Sequence, residues 1–101
     1  MDVKLEGRQV EIGNELRERI EKRLENLDRR FGPITHARLS VEKKAHRNEQ
    51  RAEVTAVINI PGQTLTATKE AATVVEAVNE TLDTLTEEIQ EIVKKAKDPR
   101  K

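Results

Sequence analysis

The residues of this chain that could do chemistry are few in kind. Its histidines, His36 and His46, stand ten positions apart with no flanking ligand pattern, Ser40 is the only serine, and cysteine is absent. That removes a disulfide framework, a thiolate nucleophile and a Cys-ligated metal. No nucleophile, base and orienting group can be assembled from this inventory, so the expectation is a non-enzyme with no cofactor and no metal. Carboxylates abound, but on charged helical surfaces where solvation accounts for them. Stacking of single-stranded bases needs aromatic side chains, and Phe31 is the only one. What remains is charge. Lys+Arg and Asp+Glu both number 19, so binding to a polyanion has to come from local segregation, not from bulk charge.

Segregation is visible in two places. Leu16, Ile20, Leu24, Leu27 and Phe31 recur at helical spacing. With Leu16 at zero, that stripe spans roughly 0° to 80°, and Arg23, Arg30 and Arg19 fall at about −20°, −40° and −60°. Lys22 and Arg29 follow near −120° and −140°, whereas Glu21, Glu25 and Asp28 occupy the opposite flank at roughly 120° to 180°. Pairs such as Glu15–Arg19, Glu18–Lys22 and Glu25–Arg29 also have the spacing of helix-stabilising ion pairs. The second cluster is Lys43, Lys44, His46, Arg47 and Arg51, with Glu49 the only acid between them. Such side chains can replace the counter-ions condensed on nucleic-acid phosphates.

The elements that position these groups follow from periodicity. Val3 and Leu5 alternate with Lys4 and Glu6 in a short strand over 2–6, which Gly7 breaks. Gly13-Asn14 reads as a helix cap, and Gly32-Pro33 stops the helix that carries the basic stripe. Ala37, Leu39 and Val41 mark a second strand. Ala52 to Ile60 marks a third, with KKAHRNEQ (43–50) as a polar loop between them. Pro61-Gly62 predicts a type II turn into a fourth strand carrying Leu65 and Ala67. Val74, Val78, Leu82, Leu85, Ile89, Ile92 and Ala96 then define a long second helix. Its outward face carries Glu76, Glu80, Asp83, Glu87 and Glu91, with Thr81, Thr84 and Glu88 on one flank.

Each strand has one apolar face, so both helices must cover the same side of the sheet. A crossover helix makes the first two strands parallel, and tight connections make the others antiparallel. The predicted fold is α+β, a two-layer β-α-β-β-β-α sandwich with a four-stranded mixed sheet and a groove between the helices. It is expected as a single domain over 1–97 with a short polar tail at 98–101. The N-terminal residues have no apolar signal core, and no stretch nears the roughly 20 apolar residues of a membrane span. The expected location is cytoplasmic.

Several segments taken together resemble the short ribosome hibernation promoting factor family, which includes the ribosome-associated inhibitor A proteins. They are GRQVEIGNELRERIEKRLENLDRRF, LSVEKKAHRNEQRAEVTAVINIPGQTLTA and EAVNETLDTL, covering most of Val3 to about Lys95. The resemblance implies the same fold and a role in silencing translation. The protein would occupy the decoding region of the small ribosomal subunit through rRNA phosphate contacts during slow growth, with nearby ribosomal proteins as neighbours. It is expected to take no small-molecule substrate, to bind no membrane and to be monomeric off the ribosome. By position, the family's rRNA-facing cations correspond to Lys22, Arg23, Lys43, Lys44, His46 and Arg47. The charge map adds Arg8, Arg19, Arg30 and Arg51. Longer members carry a C-terminal dimerisation domain; ending at Lys101, this chain reads as the short type. It departs from the family in its last helix, where Thr84, Glu87, Gln90 and Glu91 replace the usual cations.

Two other readings fit parts of the pattern. A general double-stranded RNA-binding domain shares a sheet covered by two helices, but the stretch TKEAATVV offers only Lys69 where that module clusters lysines. The acidic last helix motivates a protein-binding regulatory member without ribosome affinity, and so would an exposed Val57 in an apolar patch on the open sheet face.

Overall fold

A computed structural model of the chain describes residues 1–46 and 49–96. The elements are β1 (Asp2–Arg8), α1 (Asn14–Phe31), β2 (His36–His46), β3 (Glu49–Ile60), β4 (Gln63–Ala71) and α2 (Val74–Ala96). They form one sheet in the order β1-β2-β3-β4, with β1 and β2 parallel and the other pairs antiparallel. The α+β sandwich expected from the alternation is the one observed.

One parity of each central strand is buried: Ala37, Leu39 and Val41 in β2, and Ala52, Val54, Ala56 and Ile58 in β3. Leu65, Ala67 and Ala71 continue that layer in β4. Against it pack Ile20, Leu24 and Leu27 of α1 and Val78, Leu82, Leu85 and Ile89 of α2, in a single cluster. The opposite face of the sheet is left to solvent. Val57 on that face is half-buried among Lys4, His36, Arg38 and Asn59, so it seeds no apolar patch.

The turns have local causes. After β1 the chain folds so tightly that a Cβ on Gly7 would collide with the Val10 carbonyl oxygen. The N-cap of α1 is backbone only, the Gly13 carbonyl accepting the Arg17 N–H at 3.0 Å. At the other end the Asp28 carboxylate accepts the Ile34 N–H at 2.7 Å and holds the exit turn beside Pro33. Gly62 has φ 87°, the conformation expected of the third residue in a type II turn. Thr73 caps α2 by accepting the Glu76 N–H at 3.2 Å, the threonine half of a Thr-x-x-Glu capping box.

Three expectations are corrected. β1 does not break at Gly7 but runs through it to Arg8, with Gly7 paired to Val41. Residues 43–46 and 49–50 are not loop: β2 runs on to His46 and β3 begins at Glu49, in register Lys43↔Ala52, Lys44↔Arg51, Ala45↔Gln50 and His46↔Glu49. The pairs from Lys44↔Arg51 outward lie past the ends of β1 and β4, so the hairpin projects as a two-stranded ribbon about 10 Å long. Without a helix over it the ribbon needs no apolar alternation, which is why the pattern concealed it. Thr81 is not on a flank of α2 but fully buried. Its hydroxyl donates to the Ala77 carbonyl at 2.7 Å, with the Val54 carbonyl 3.4 Å away, so its polarity is satisfied inside the core.

Candidate nucleic-acid interface

The strands and helices distribute the described candidate cations over more than one surface. On α1, Arg19, Lys22 and Arg30 are exposed, and among the described residues none of them enters an ion pair. The Arg30 guanidinium lies 5.0 Å from the centre of the Phe31 ring, a distance at which the ring face attracts it. Arg23 is half-buried where α1 meets α2, and its Nη2 donates to Asp83 Oδ1 at 2.8 Å. Of the α1 cations, Arg23 therefore sits at the seam between the helices and ends on a carboxylate of α2.

The ribbon divides its cations by strand parity. Lys43 shares the helix-side parity of Val41 and borders a cleft formed with Gln50, Thr73 and Val74, at the start of α2. Arg8, Lys44 and Arg51 take the other parity and belong to the open sheet face. The side chain of His46 and the whole of Arg47 lie outside the described residues.

On the open face the strand register sets up a row of like charge. Arg8 pairs with Glu42, Glu42 with Glu53, and Glu53 with Glu70, which places three carboxylates abreast on adjacent strands. Directly opposed like charges are destabilising. The next row supplies the remedy: Lys44 Nζ lies 3.2 Å from Glu53 and Arg51 Nε 2.8 Å from Glu70. The hydrogen bond and charge of Glu53, helped by Glu42 and Glu70, hold the Lys44 ammonium above the ordinary lysine value of 10.5. Two cations proposed for phosphate thus already have carboxylate partners.

Sequence reasoning missed those partners, Asp83, Glu53 and Glu70. The open-face pairs were readable once the strand alternation was carried through residues 43–51, but Asp83 is 60 positions from Arg23 and needed the helix packing. It also passed over Arg38 and Lys4, which share an exposed depression with Asp2 and His36. No group of three or more His, Asp or Glu side chains that could hold a metal occurs among the described residues, and no helix among them is long and apolar enough to cross a membrane.

The model of the Sigma 54 modulation protein / S30EA ribosomal protein family matches residues 3–97. This chain belongs to that family. A ribosome hibernation promotion factor of Deinococcus radiodurans is 32% identical over 87 residues, 85% of this chain and 46% of that protein. The chain thus spans about half the length of this curated relative. Among solved structures, a ribosomal subunit interface protein from Coxiella burnetii aligns with TM-score 0.73 at 25% identity, covering 96% of this chain and 100% of that one. The Thermus thermophilus Protein Y N-terminal domain aligns with TM-score 0.72 at 25% identity, over 91% of this chain and 99% of its own. The family expected from the sequence is the family found.

Proposed function

We propose that this protein binds the small ribosomal subunit at its decoding region and holds translation silent, acting in the cytoplasm by steric occlusion with no bond made or broken. The observation that carries the reading is the exposed flank of Arg19, Lys22 and Arg30, unpaired among the described residues, on a fold of the S30EA family. Lys43 extends the set on the helix side of the ribbon. These side chains stand out from a rigid helix and a paired strand, so phosphate contacts can fix orientation without ordering a loop. The names of its relatives, a hibernation factor and a subunit interface protein, support the ribosome as target.

A second reading is favoured by the exposed Glu76, Glu80, Glu87 and Glu91 on α2, a face that repels phosphate and suits a basic protein partner. Sedimentation of the purified protein with isolated ribosomal subunits, at salt from low to physiological, separates the two. Co-migration with the small subunit that weakens with salt supports phosphate contacts. Protein that stays at the top of the gradient even at low salt refutes ribosome binding and directs the search to a protein partner.

A further inference from the structure

Three of the cations assigned to the interface carry an internal carboxylate: Arg23 with Asp83, Lys44 with Glu53 and Arg51 with Glu70. All three pairs are partly solvent-exposed, and exposed pairs of this kind are weak enough to be displaced. We infer that Asp83, Glu53 and Glu70 are specificity-determining counter-ions, which suppress binding to loose RNA and leave recognition to a rigid phosphate array. The inference rests on the RNA-binding reading above and deepens it.

The physical argument concerns what drives non-specific binding. A cation that neutralises a phosphate releases a condensed counter-ion, and that release supplies essentially all of the sequence-independent affinity. A guanidinium whose charge is already cancelled by a carboxylate at 2.8 Å neutralises nothing net, so it contributes little to that release. A flexible single strand is left with the cations that carry no internal carboxylate, since the chain offers only Phe31 for stacking. A folded RNA surface differs: several phosphates held in place can act on the free cations together, and only there is displacing a carboxylate offset by neighbouring contacts. Self-pairing therefore lowers binding to the abundant wrong ligand more than to the right one.

The test is binding of poly(U), followed by fluorescence anisotropy, for the wild type and for the combined variant Glu53→Gln, Glu70→Gln and Asp83→Asn. The amides keep side-chain shape and remove the negative charge. Freeing three cations should steepen the slope of log affinity against log salt by about 2, from about 0.7 per single-stranded phosphate. Between 50 and 200 mM salt, the variant then loses about 15- to 20-fold more affinity than the wild type. Detectable binding by the variant alone at low salt also supports the inference. Equal slopes, or no binding by either protein, overturn it. Should the combined variant fold poorly, the single substitutions serve, each steepening the slope by about 0.7. Parallel sedimentation with small subunits keeps the two readings apart. Wild type that fails to bind subunits refutes the ribosome reading, whereas an unchanged poly(U) slope refutes only the role of the carboxylates.

Discussion

Replacing Arg51 by methionine isolates the electrostatic task of one side chain while keeping most of its aliphatic stem. In the structure its Nε lies 2.8 Å from Glu70, with the two side chains 35% and 41% exposed. A pair this accessible contributes up to about 1 kcal/mol by itself. Its removal also unmasks the cross-strand neighbours Glu53 and Glu70. Carboxylates about 5 Å apart repel by about 0.8 kcal/mol at the dielectric constant of water. Together the loss comes to roughly 1–2 kcal/mol at low ionic strength, or about 5–15 °C in melting temperature for a domain of this size. Urea or thermal unfolding at 10 mM and 1 M salt reads it directly. Screening at 1 M, where the Debye length is only about 3 Å, should remove most of the deficit. Adding Glu53→Gln to the variant should recover the repulsive share even at low salt. A variant as stable as the wild type at 10 mM, or one whose deficit ignores salt, would show that Arg51 is not holding the carboxylate row together.

The remaining predictions concern single side chains. Lys44 should titrate above 10.5 and move back toward that value in Glu53→Gln, as followed by NMR of its Nζ-adjacent methylene. Because the folded-state value is raised, the stability Lys44 contributes is fully present below 10.5 and is lost as pH rises through its folded-state value. Leu24→Ala, at a side chain with no solvent exposure, should cost about 2–5 kcal/mol in chemical denaturation. Gly7→Ala forces a Cβ against the Val10 carbonyl and should lower the melting temperature, whereas alanine at Gly13, with open space around it, should not show that clash.

How far the sequence reveals this molecule depends on what each element has to bury. The stripe Leu16–Ile20–Leu24–Leu27 and the alternation through Ala52–Ile58 each announce a buried face, and with it α1, β3 and the one-sided sheet. Topology followed, because a crossover helix and short turns leave little choice of direction. The ribbon was invisible for the same reason the core was legible: Lys44, Ala45, Glu49 and Gln50 are exposed and present no buried face, so no apolar period betrays their pairing. Thr81 misled by its type. Its position on α2 is a core position, and its hydroxyl is satisfied by its own helix through Ala77. The charge stripe on α1 was readable as geometry, but its electrostatic content was not. A helical wheel shows where Arg23 points and says nothing about Asp83 waiting across the seam.

That difference decides which cations can serve a partner. Counting by composition treats the 19 basic side chains as equivalent, and net charge treats them as cancelled. The fold does neither. On the open sheet face the acids and bases are interleaved at strand spacing, so Lys44 and Arg51 are occupied in relieving a carboxylate row. On the helix layer the signs are kept on separate flanks of α1, and that helix presents Arg19, Lys22 and Arg30 with no acid paired to them among the described residues. The exposed acids of α2 then act as a fence. Under the proposed ribosome binding, a phosphate backbone approaching this layer is favoured at α1 and repelled by Glu80 and Glu87 on the adjacent helix. An electrically neutral protein can in this way present a basic surface with a defined orientation, which bulk positive charge could not supply.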